Sequence, residues 1–166
     1  MAHTILMYCV SLLSICNCNN TSTNKTTINS IETSVEKEHL ISSQLKFSDS
    51  LKCSIIIVRK TDNKIEKLTS LDLKMFLCTF SKECSRNIEY TEHSNEVLFR
   101  VLEYYPSQFM DCINSNPDIE FEYILSELAN PLLDINGKKL IKRIENAKGE
   151  PCVKLRIIES IEKAME

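Results

Sequence analysis

Two glycines, Gly137 and Gly149, serve a chain of 166 residues, and that scarcity limits the possible folds more than any other feature. Phosphate-cradling loops and dinucleotide folds need glycine where the backbone turns tightly or approaches a ligand. The chain has no P-loop, no Rossmann fingerprint and no G-x-S-x-G nucleophile elbow. Nucleotide enzymes of those classes are excluded. A net charge of −3 argues against general nucleic-acid binding, which needs a basic surface, so no nucleic-acid partner is expected.

The chain offers helical spacing instead. Leu73, Phe76, Leu77, Phe80 and Cys84 recur three to four residues apart, with Ser70 as N-cap. Val97, Leu98, Val101, Leu102 and Tyr105 predict a second helix that starts after Ser94 and stops at Pro106. A short piece, 107–114, turns Phe109, Met110 and Ile113 inward. Asn116-Pro117 reads as an N-cap with proline at the first helical position, opening a helix that carries Phe121, Ile124, Leu125 and Leu128 to about residue 129. Another covers 137–148, with Leu140, Ile141 and Ile144 on one face and Gly149 at the C′ position. The last opens at Pro151 and uses Leu155, Ile158, Ile161 and Met165. Residues 54–68 read in two ways. The β-branched run Ile55 to Val58 followed by Thr61-Asp62-Asn63-Lys64 suits a small β-hairpin, or a helix entered early. The fold expected for 46–166 is mainly α, a small helical bundle or a short stack of antiparallel helix pairs. About 120 residues suffice for one domain with a modest core.

The N-terminal region carries an address. Ile5 to Ile15 is an uncharged apolar run ending at Cys16. About 10 residues cannot span a ~30 Å hydrocarbon core, but they match the hydrophobic region of a secretory signal. Leu13-Ser14-Ile15-Cys16 resembles the lipobox of bacterial lipoproteins. The resemblance implies that Cys16 receives a diacylglycerol and that the chain is cut just before it. Ordinary secretion, with cleavage after Cys16, and a first helix within the fold are the other two readings. Residues 17–45 begin NCNNTSTNKTT and read as a polar tether too poor in apolar groups to fold alone. The localisation expected is the cell envelope, on the inner or outer membrane facing the periplasm, or else secretion.

Export changes the meaning of eight cysteines. With Cys9 leaving in the signal and Cys16 carrying lipid, the six that remain can pair in an oxidising compartment, and Cys78 and Cys84, close in sequence near a helix end, are the pair expected first. Cys78, Cys84 and His93 are separated by gaps of five and eight residues, which match no zinc pattern. No metal or cofactor is expected.

Charge is unevenly laid out. Residues 83–134 carry eleven acids against Arg86 and Arg100, and 138–156 carry seven bases against Glu145 and Glu150. These are either the solvated faces of helices that attract one another, or an acidic surface for a basic protein partner. Glu96, Glu103 and Glu120, with the neighbouring Tyr104 and Tyr105, are the candidate binding residues. The function expected is an exported, lipid-anchored binding module and not an enzyme. One alternative is a periplasmic hydrolase using carboxylates of 83–134, which requires a concave pocket holding two or more of them. Another is a secreted, non-lipidated inhibitor or structural protein.

Overall fold

The computed structural model describes residues 49–166. The signal, the lipobox with Cys16, and the tether expected at 17–45 lie outside the described residues. Those described form a mainly α bundle: α1 (Ile55–Asn63), α2 (Ser70–Leu77), a 3-10 helix (Lys82–Arg86), α3 (Ile88–Tyr104), α4 (Pro106–Ser115), α5 (Phe121–Leu128), α6 (Gly137–Asn146) and α7 (Pro151–Lys163). No strand occurs among the described residues, and none of their helices is long and apolar enough to cross a membrane.

The longest helix, α3, organises the rest. It packs against α1, the 3-10 helix, α4, α5 and α6, while α7 closes the far side on α4, α5 and α6. Its stripe of Tyr90, Val97, Leu98, Val101 and Leu102 is almost wholly buried. Phe80 links the layers, lying edge-on to Phe76 with centroids 5.2 Å apart and 6.5 Å from both Tyr90 and Tyr123.

The region 54–68 is α1, not a hairpin. Val58 and Thr61, three residues apart, are both buried, and Ile55 and Ile57 pack on the core, so burial along α3 outweighs the β preference of the branched residues. A hairpin would find no strand among the described residues to pair its edges. Helix α2 begins at Ser70, the residue expected to cap it, and the cap is Thr69. Thr69 and Asp72 form a capping box there, and the helix stops at Leu77, before Phe80 and Cys84.

Helix α3 begins at Ile88, seven residues before the expected start after Ser94. Asn87 caps it by accepting from the Tyr90 N–H at 3.2 Å, and Ser94, inside the helix, donates to the Thr91 carbonyl. Asn116 does not open a helix. Its side-chain amide donates back to the Cys112 carbonyl at 2.7 Å, finishing α4, and α5 starts after Glu120.

Helix α6 ends at Asn146, and neither glycine has positive φ, so Gly149 is not a C′ glycine. In α7 the buried positions are Val153, Ile157 and Ile161, whereas Leu155 is exposed, because the helix presents its i, i+4, i+8 row to the bundle.

The expected Cys78–Cys84 pair is not formed. Cys84 is bonded to Cys53, with Cα atoms 5.3 Å apart. Cys53 sits at φ 57, a left-handed conformation uncommon outside glycine, and its N–H donates to the Thr79 carbonyl at 2.9 Å. That tight turn carries its side chain to the 3-10 helix. Cys78 ends α2 facing another way, its thiol 4.0 Å from a carboxylate oxygen of Asp118.

Candidate functional site

Two of the residues singled out from the sequence, Glu96 and Glu103, fall two helical turns apart on α3 and line one cleft. Its other wall is the connection from α5 to α6 with the first turn of α6, contributing Leu133, Asp134, Ile135, Asn136, Lys139 and Leu140. Phe99 and Arg100 complete the α3 side. The cleft is open on one side and has a volume of about 240 Å³.

The cleft wall is held by a residue that sequence reasoning missed. Asn95 is almost fully buried beneath the apolar stripe of α3. Its Nδ2 donates to the Glu127 carbonyl at 3.1 Å, to Glu127 Oε2 at 3.1 Å and to the Asn130 carbonyl at 3.4 Å. Its Oδ1 accepts from the Leu132 N–H at 3.0 Å. One side chain thus closes the end of α5 and pins the loop that follows. The polar Ser94-Asn95 pair leading into an apolar run is its one local signal, and the same pattern suits a helix start after Ser94. At the other end of the loop Asn136 caps α6, accepting from the Lys139 N–H at 3.0 Å.

The charges around the cleft are mostly answered. Glu103 accepts from Lys139 at 2.9 Å and from Arg143 at 3.0 Å. The Lys139 hydrogen bond, with the charges of both bases, holds the Glu103 carboxyl below its ordinary value against the opposing effect of burial. Arg100 is paired with Asp62 of α1, and His93 Nε2 lies 3.9 Å from the same carboxylate. Glu96 and Asp134 make no ion pair among the described residues, and both are exposed at the cleft mouth.

The other singled-out residues lie elsewhere. Glu120 precedes α5, where it accepts from the Lys82 N–H at 3.2 Å and sits 3.5 Å from Lys52. Burial raises its carboxyl, but Ser81, the Lys82 N–H and Lys52 together outweigh that and leave it lowered. Tyr105 is half-buried and its hydroxyl accepts from the Leu68 N–H at 3.2 Å, so it fastens the α1–α2 connection. Tyr104 is exposed, its ring 6.3 Å from that of Tyr105. Of the bases in 138–156, Lys139 and Arg143 meet Glu103, Arg156 meets Glu122 at 2.5 Å, and Lys154 donates to the Glu145 and Ala147 carbonyls at the end of α6.

The thiol of Cys112 borders a second hollow, between α2 and α4, but burial pushes it up to about 11, so it stays protonated at neutral pH. Among the described residues no three His, Cys, Asp or Glu side chains are grouped to hold a metal ion. No protein-family model, no curated protein and no solved structure matches this chain.

Proposed function

We propose that this chain is an exported protein, anchored in a bacterial envelope by a lipid on Cys16, that works there as a binding module for a basic protein partner. The observation that carries export is the Cys53–Cys84 disulfide, since such bonds persist in oxidising compartments and are rare in the cytosol. The binding role draws on the α3–α6 cleft, a concave surface of mixed polar and apolar lining with two carboxylates outside any ion pair among the described residues. A hydrolase is the second reading, favoured by one observation: Glu96, Glu103 and Asp134 share that concavity. Glu103 is a poor proton donor in such a scheme, because Lys139 and Arg143 favour its ionised form. Glu96 and Asp134 would have to serve as acid and base.

The test is the intact mass of the mature protein from membrane and soluble fractions of its native host. A chain starting at Cys16 with added acyl mass, in the membrane fraction, is the expected result. An unprocessed chain beginning at Met1 in the cytosol overturns the proposal.

A further inference from the structure

We infer that the α3–α6 cleft receives a single lysine or arginine side chain from a basic polypeptide. The inference rests on the binding-module reading and names the partner's chemistry. At about 240 Å³ the cleft is smaller than the roughly 300–1,000 Å³ usual for cofactors and drug-sized ligands, so one long side chain suits it better. The apolar part of its mixed lining, Phe99, Leu133, Ile135 and Leu140, suits a hydrocarbon stem.

The charge left over fixes the sign of the head group. Both cations lining the cleft are already engaged, Arg100 by Asp62 and Lys139 by Glu103. Glu96 and Asp134 remain outside any ion pair among the described residues, so the surplus at the mouth is negative. An anion would meet two carboxylates, and a neutral ligand would leave both unanswered. An ammonium or guanidinium on an apolar stem satisfies lining and mouth together. The pocket is also built in advance: Asn95 pins one end of the loop wall and the Asn136 cap the other, so little ordering is left to be done on binding. Leu132 and Leu133, each more than half exposed beside the cleft, give the partner's main chain an apolar rim to cover.

The experiment uses the oxidised full chain labelled with ¹⁵N, titrated with blocked hexapeptides containing lysine or arginine and with acidic and neutral peptides of the same length. Saturable shifts at Asn95, Glu96, Leu133 and Asp134 with the basic peptides alone are expected, weakening with added salt. Glu96→Gln and Asp134→Asn should each weaken binding about three- to tenfold, while Glu159→Gln on α7 leaves it unchanged. Spectra that otherwise overlay show that these surface variants fold. Basic peptides that bind with shifts centred elsewhere, unaffected by both cleft substitutions, overturn the cleft assignment and leave the basic-partner reading standing. No saturable binding by any basic peptide overturns that reading, and the inference with it.

Discussion

Gly137 and Gly149 look alike in the sequence and are constrained differently in the fold. A Cβ on Gly149 would lie 2.7–2.9 Å from three side-chain atoms of Met110, which is fully buried and has little room to yield. Gly149→Ala is expected to destabilise by about 1–3 kcal/mol through overpacking. A Cβ on Gly137 meets the sulfur of Met165 at 2.5 Å, but that side chain is well exposed and can swing aside. Gly137→Ala should be neutral or stabilising by up to about 1 kcal/mol, since alanine favours the helix and stiffens the unfolded chain. Thermal unfolding of the two variants side by side checks the contrast. Asn95→Leu removes the amide that joins α3 to the α5–α6 loop and leaves the Leu132 N–H unpaired. A loss of about 2–3 kcal/mol is expected, with faster hydrogen exchange across residues 129–136. The glycine count was plain from the sequence, but the Met110 contact and the bonds of Asn95 join residues more than thirty positions apart. No local pattern encodes them.

Helices were legible where the apolar period was long, and so were the ends marked by Pro106, Gly137 and Pro151, whereas the starts of α2, α3 and α5 were not. Ser94 and Asn116 have the chemistry of N-caps, yet one bonds within its own helix and the other bonds back to the helix before it. Asn87 caps α3 in place of Ser94, Thr69 caps α2 in place of Ser70, and α5 starts after Glu120 with no side-chain cap, so only the path of the chain decides among such residues. Thr69→Ala breaks the capping box with Asp72 and should cost about 1 kcal/mol in denaturant unfolding. The ion pairs from Glu103 to Lys139 and Arg143 couple α3 to α6 and give that contact a pH dependence. The folded carboxyl lies below its ordinary value of 4.5, so its stabilisation is complete above that pH and is lost as pH falls through the lower folded value. Glu103→Gln should flatten that part of the acid-unfolding profile. The pairs are partly exposed, so added salt should shrink the difference.

For the whole molecule, the helical class followed from apolar spacing, and the bundle around α3 realises it. The charge segregation along the sequence resolves in large part into contacts between helices, as in Glu103 with α6 and Glu122 with α7. What remains is local, at the mouth of one cleft. Sequence order placed Glu96 and Glu103 on one helix, but Asp134 joins them only because the α5–α6 loop folds back. The expected Cys78–Cys84 pairing gives way for the same reason: Cys53 and Cys84 are separated by 31 positions, and the turn at Cys53 brings them together. Closing a loop of that length stabilises a fold by about 3–4 kcal/mol in the chain-entropy description. Reduction should therefore lower the melting temperature of the purified protein by about 12–16 °C.

The state of this bond in living cells tests export most directly. Cells of the native host are quenched in acid, free thiols are blocked with an alkylating reagent, and Cys53 and Cys84 are then reduced and labelled with a second reagent of different mass. An exported protein carries the second label at both positions. The first label at both positions in most molecules would place the chain in a reducing compartment and contradict export, and with it the lipid on Cys16.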